Sequence, residues 1–200
     1  DWLNNWKKYF KPIAIGKKLM IKPSWEELPD NCGRTVLEID PSSSFGTGTH
    51  ATTQLCLEAL ENIVKEGDCV LDMGCGSGIL SVGAMLLGAR EVTGVDIEED
   101  SVRVSYENAD MNKIDRDNFK IYCGNVLCDD SLKEKIGEKS YDIVVANIVA
   151  DVGIAMSPLF KRYLKGDGTL ITSGIITERI DDVVLALIRA GFIIKDILKR

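Results

Sequence analysis

The apolar run Val70-Leu71-Asp72-Met73 passes directly into Gly74-Cys75-Gly76-Ser77-Gly78. Glycines at a strand exit let backbone approach a ligand with no Cβ in the way. The sixth residue counted from Gly74 is Ile79, so the G-x-G-x-x-G/A dinucleotide fingerprint fails. The spacing is instead G-x-G-x-G, with a carboxylate two residues ahead. A pyrophosphate favours a helix N-terminus free of nearby carboxylates. A ligand carrying a sulfonium and an ammonium gains from an anion such as Asp72. Asp96 lies 22 residues after Gly74 (96 − 74), at the end of the next apolar run. A carboxylate placed there can accept both hydroxyls of a ribose. Taken singly, the glycines would serve a tight turn and Asp96 a helix cap. The ordered set of strand, Asp, glycines, helix, strand and Asp points to a nucleoside cofactor. Gly74, Gly76, Gly78 and Asp96 would contact it, and Asp72 would supply counter-charge.

Asn147 ends the most apolar run, Tyr141 to Ala146, and its amide oxygen can accept a hydrogen bond from an amine. A turn asparagine would look the same from sequence. His50 is the single histidine. It is either a proton acceptor or the residue that holds the glycine-rich stretch before it. Gly46 and Gly48 suggest a segment that closes over a ligand, to which Thr47, Thr49 and Thr52 would donate. Asn125 reads equally as an adenine contact or as a turn residue.

The elements needed to hold these residues follow from periodicity. Pro12 to Ile15 and Leu19 to Lys22 flank Gly16 as a hairpin. Thr35 to Asp40 is a third short strand, and Asp1 to Phe10 a short amphipathic helix. From residue 51 helix and strand alternate. Helices are expected near 51–64, 77–87, 98–112, 152–164 and 178–190. Strands are expected over 69–73, 92–96, 119–123, 141–146, 169–173 and 192–198, with a turn over 164–168. Strands apolar throughout and separated by helices imply a sheet covered on both faces. The expected architecture is therefore α/β, a doubly wound, mostly parallel sheet over residues 51–200. Residues 1–50 form a short antiparallel lead-in with a cofactor-covering loop. Such folds bind ligands at the carboxyl ends of their strands, where the motifs above fall.

The 200 residues carry 24 Lys and Arg against 31 Asp and Glu, a net charge of −7, which speaks against direct gripping of nucleic acid. The six cysteines include no C-x-x-C pair, and with one histidine no zinc spacing exists, so no metal is expected. Free thiols on this scale suit a reducing cytoplasm. No run of 18 apolar residues or signal peptide occurs, so no membrane span is expected. The chain opens on Asp1 rather than Met and is read as part of something longer.

Phe45-Gly46-Thr47-Gly48-Thr49-His50-Ala51-Thr52-Thr53, the Asp72 to Gly78 loop, Gly94-Val95-Asp96-Ile97 and Val145-Ala146-Asn147-Ile148 occur in an order that resembles the PrmA family, methyltransferases of ribosomal protein L11. The likeness extends over about residues 12–199. It implies a class I, Rossmann-like fold that uses S-adenosylmethionine and yields S-adenosylhomocysteine. It also implies methylation of lysine and N-terminal amino groups on a ribosomal protein in the cytoplasm. By position it matches Thr53, Gly74, Asp96 and Asn147 to the family's cofactor contacts, and it favours a catalytic place for Asn147; His50 is the other catalytic candidate, on its residue type alone. Ala51 stands where the family usually has proline. The family's separate substrate-recognition domain and its final hairpin strand have no counterpart here. Asn147-Ile148-Val149-Ala150 is not Asn-Pro-Pro-Tyr, which argues against a base-amine or glutamine-amide substrate. A methyltransferase acting on RNA or a small molecule is the alternative. A nicotinamide-dependent dehydrogenase and a non-catalytic cofactor-binding module are the remaining rivals.

Overall fold

The computed structural model describes residues 10–28, 32–40, 48 and 50–199. The helix expected over Asp1 to Phe10 lies outside the described residues but for Phe10 itself, which is not helical.

Two sheets form. In the first, β1 (Ile13–Ile15) and β2 (Leu19–Pro23) make the expected antiparallel hairpin, with Ile15 opposite Leu19. The next strand, β3 (Thr35–Ile39), joins β2 in parallel, so the lead-in is a mixed sheet rather than wholly antiparallel. Alternation decides its buried face. Ile15, Leu19, Ile21, Leu37 and Ile39 are at most 3% exposed and pack with Cys56, Leu57, Leu60 and Val82.

The second sheet comprises β4 (Cys69–Met73), β5 (Glu91–Asp96), β6 (Phe119–Cys123), β7 (Tyr141–Asn147) and β8 (Leu164–Ser173). All are parallel, in the order β6-β5-β4-β7-β8. The helices are α1 (Ala51–Ile63), α2 (Ile79–Leu86), α3 (Glu99–Met111), α4 (Asp130–Ile136), α5 (Ala150–Tyr163) and α6 (Ile180–Arg189). Strand parity divides the core in two. Val70, Val92, Ile143 and Val145 share one cluster with α1, α2 and the lead-in sheet. Leu71, Met73, Val95, Val144 and Ala146 share the other with α4, α5 and α6. No helix among the described residues is long and apolar enough to cross a membrane.

Three elements differ from expectation. The short α4 offers only Leu132 and Ile136 as buried positions, too little to show a helical period, and Asp129 starts it by accepting from the Leu132 N–H at 3.0 Å. The turn expected over 164–168 lies inside β8, because the ladder bulges between Tyr141 and Ile143 while Lys165 grips both oxygens of Asp142 at 2.8 Å. The strand expected over 192–198 is absent. Phe192 and Ile194 pack on the second cluster, and Ile193 is 88% exposed. Alternation supplies a face, but a ladder also needs a neighbouring strand, and no described strand pairs there.

Beside its apolar packing, the lead-in hairpin is tied to α1 by a buried carboxylate. Glu61 is buried, and its two oxygens accept the Lys17 and Lys18 backbone N–H groups at 2.7 and 2.8 Å. A Cβ at Gly16 would come within 2.7 Å of that carboxylate, so the turn closes only on glycine. Burial alone would raise the Glu61 carboxyl; the donated N–H groups outweigh it and hold it below its ordinary range. A group lowered in the folded state contributes stability above its unfolded pKa and loses it as pH falls through the folded value. Glu61→Gln is therefore expected to cost about 2 kcal/mol in urea unfolding at pH 7. The gap from wild type should narrow as the pH drops below about 4; a constant gap would contradict this account.

Candidate functional site

Chain order reverses between β4 and β7: β5 and β6 lie on one side of β4, β7 and β8 on the other. A crevice opens at the carboxyl ends of strands flanking such a point. Side chains alternate along strands, so Asp72 shares the face of Val70, Asp96 that of Val92, and Asn147 that of Ile143 and Val145. The three polar residues singled out from sequence thus fall on one side of the sheet, toward α1 and α2.

The β4 exit folds over β5. The Gly74 and Cys75 N–H groups both donate to the Val95 carbonyl, at 2.7 and 3.1 Å. Gly74 has φ +78°, and a Cβ there would lie 2.6 Å from Ile148. Gly78 has φ +74° and caps α2 with no side chain; a Cβ would meet Ser105 at 2.7 Å. Behind the loop, Ser105 donates to the Gly76 carbonyl at 3.1 Å and Asn108 to that of Ser77 at 2.8 Å. Sequence reading missed these two. A signal existed: Ser101, Ser105 and Asn108 recur at helical spacing and all are buried on α3.

Asp96 is held from both sides. One oxygen accepts the Gly76 N–H at 2.8 Å, the other the Glu98 N–H at 3.0 Å. The cap position of α3 is Glu98, so Asp96 is not the helix cap. Each carboxylate oxygen keeps a second lone pair, enough for two further donors. Beside it, Ile97 is 68% exposed.

Asp72 does not line the crevice as an exposed anion. It is fully buried, and Ser81 donates its hydroxyl to one oxygen at 2.6 Å. The Ser81 backbone N–H, in the first turn of α2, adds a weaker contact. The other oxygen has no hydrogen-bond partner. Burial, reinforced by the charge of Asp96, pushes the Asp72 carboxyl up to about 7. Its neighbours Cys56 and Cys75 are pushed upward by burial too, Cys56 to about 12.

On the other flank, Asn147 donates its amide N–H to Thr53 Oγ1 at 3.2 Å. Thr53 is 2% exposed in the first turn of α1. That contact turns the amide so that Oδ1 is the end left for an acceptor role. Ser173 stands opposite Asn147 in the ladder and donates to the Thr52 carbonyl at 3.5 Å. His50 caps α1: its Nδ1 accepts the Thr52 N–H at 3.3 Å and lies 2.7 Å from the Thr52 hydroxyl. Asn125 is taken up by a turn, its Oδ1 accepting the Leu127 N–H at 3.0 Å. Gly46, Thr47 and Thr49 lie outside the described residues; the Gly48 carbonyl accepts from Gln54 at 3.3 Å. Among the described residues no group of three or more His, Cys, Asp or Glu side chains could hold a metal ion. A broad hollow of about 580 Å³ lies between α5 and α6, beside Lys161, Arg162 and Arg189, away from this crevice.

Comparison with known proteins agrees with this geometry. The family described as "Ribosomal protein L11 methyltransferase (PrmA)" matches residues 1–200. A protein of that name from Agathobacter rectalis is 48% identical over 195 residues, covering 96% of this chain and 60% of that protein. One from Acetivibrio thermocellus is 47% identical over 192 residues, covering 96% and 58%. The chain thus spans about three fifths of the length of the curated relatives it matches. The crystal structure of a ribosomal protein L11 methylase from Lactobacillus delbrueckii subsp. bulgaricus superposes with a TM-score of 0.84 at 31% identity, covering 96% of this chain and 94% of the other. The five parallel strands with the three polar side chains on one face are a Rossmann-like methyltransferase fold, and the chain belongs to the PrmA family.

Proposed function

We propose that this chain is the catalytic part of an S-adenosylmethionine-dependent N-methyltransferase acting on lysine and N-terminal amino groups of ribosomal protein L11 in the cytoplasm. The supporting observation is the convergence of a tethered Asp96 and a Thr53-oriented Asn147 on either side of the glycine loop. In this reading residues 51–200 form the cofactor-binding part, and residues 1–50 a lead-in with a covering loop. The relatives' shared name supports the substrate.

The residues fit the cofactor. Asp96 presents lone pairs for two ribose hydroxyls, Gly74, Gly76 and Gly78 bring backbone close, and Asp72 holds an unpartnered oxygen beneath the loop. When bound, S-adenosylmethionine supplies an already activated methyl group on a sulfonium. What the chain must add is alignment and exclusion of water. Asn147 Oδ1 accepts an N–H of the neutral amine and aims its lone pair. Removing a proton from a lysine of pKa about 10.4 costs about 4 kcal/mol near neutral pH, and from an N-terminal amine under about 1 kcal/mol. A positive sulfonium alongside lowers both. We assign His50 to holding the start of α1, where its Nδ1 is engaged by Thr52; a role as proton acceptor would fall to Nε2.

Calorimetry with S-adenosylhomocysteine is expected to show binding, and Asp96→Ala to weaken it roughly 10- to 100-fold, the value of one or two charge-assisted hydrogen bonds. Binding of NAD in its place would refute the cofactor reading. In the whole protein, Asn147→Ala should bind S-adenosylhomocysteine within about threefold of wild type and lose on the order of 100-fold in kcat on L11. Label transfer to RNA or a small amine, with none to L11, would reject the substrate.

A further inference from the structure

We propose that Asp72 gives up a proton when the positively charged methyl donor enters the crevice and takes one back when the neutral product remains, so the site discriminates donor from product by charge. This deepens the proposed function and rests on that reading.

The geometry carries the case. Asp72 is 0% exposed, with one oxygen bonded to Ser81 at 2.6 Å and the other without a partner. No ion pair with it is formed among the described residues. An ionised carboxylate in such surroundings is poorly compensated until a cation arrives. The groups facing it are Cys56 from α1, Ser81 from α2, Cys75 from the glycine loop and Asp96 from β5. Gly94 and Val145 flank it in the ladders and bring no charge. Both thiols are pushed upward by burial and stay neutral between pH 6 and 8. The charge of Asp96 adds to the effect of burial in disfavouring a charge on Asp72. Burial sets the carboxyl at about 7, where a modest change in local charge moves its proton.

The reaction itself supplies that change. The amine lone pair bonds to the methyl carbon, and the electron pair of the broken C–S bond stays on sulfur. The sulfonium becomes a neutral thioether, and the positive charge leaves with the alkylated amine. The proton that Asp72 then takes up comes from solvent.

Calorimetry of this chain in buffers of different ionisation heat tests the idea. At pH 6.5, S-adenosylmethionine should release on the order of half a proton more than S-adenosylhomocysteine. At pH 6.5 the α-amino groups of both ligands are largely protonated, and any part of the difference that comes from them persists in Asp72→Asn and is subtracted. The ratio of donor to product affinity should rise roughly fivefold from pH 6 to pH 8, for a carboxyl lowered by about one unit. Asp72→Asn should flatten the ratio. If that variant does not fold, Ser81→Ala, which removes the donor favouring the ionised form, should move the midpoint to higher pH. Equal proton release by the two ligands, a difference that survives in Asp72→Asn, or an unmoved midpoint in Ser81→Ala would each overturn the proposal while leaving cofactor binding intact. Absence of binding by either ligand would instead remove the proposed function, and this inference with it.

Discussion

A helix whose cap position is glycine has no side chain of its own with which to cap its first turn. The start of α2 is Gly78, because a Cβ there would strike Ser105, so the first turn of α2 lacks a side-chain cap. Asp72, reaching up from β4, stands in: it lies beneath the first turn and takes the Ser81 hydroxyl. That solution demands burial of a carboxyl, and burial is what lifts its proton affinity. One steric requirement, room at the β4 exit, therefore fixes glycine at the cap, acid in the strand and a hydroxyl in the helix. It also separates the two aspartates of the site. Asp96 is tethered by backbone donors at the rim, while Asp72 sits below with one oxygen unsatisfied.

The other half of the crevice depends on where α1 begins, and that is settled far from the site. Glu61, near the far end of α1, binds the turn of the lead-in hairpin. With Ile15, Leu19 and Ile21 packed against Leu57 and Leu60, the helix has little freedom to slide. Thr53 in its first turn is then in register to receive Asn147. The lead-in is thus mechanically part of the site, and the Asp40 N–H also donates at 3.3 Å to Asn108, which supports the glycine loop. It shares one hydrophobic cluster with the helices that carry the polar groups.

The sequence was most legible where period and punctuation agreed. Cys69 to Met73 and Phe119 to Cys123 have the expected bounds, because each is an apolar run between strong breakers. The places of Asp96 and Asn147 at the ends of β5 and β7 were readable because each closes an apolar run. Legibility failed where structure depends on partners that periodicity does not encode. The 192–198 segment alternates like a strand yet has no ladder to join. The parallel pairing of β3 with β2 was not readable, because alternation gives a buried face and not a strand direction. The helical spacing of Ser105 and Asn108 is visible in linear sequence, but their partners, the Gly76 and Ser77 carbonyls, are revealed only by the packing of α3 behind the loop. The burial of Asp72 was not readable, since strand parity gives a face and not a depth.

Orientation of Asn147 shows how much of such a site resides in groups that do no chemistry. A carboxamide has two nearly isosteric ends, one donating and one accepting, and an amine nucleophile is served by the acceptor. Nothing in a strand end selects between them. Thr53 does, because its hydroxyl oxygen receives the amide N–H and leaves Oδ1 as the outward end. Thr53 is itself 2% exposed and held in the first turn of a helix capped by His50, so its own rotation is restricted. Orientation passes from helix cap to threonine to amide through contacts of 3.3 Å or less. In the role proposed for Asn147, selecting the amide end in this way would cost nothing at the moment of reaction, which is the advantage of a preorganised polar group over one that must turn when its partner arrives.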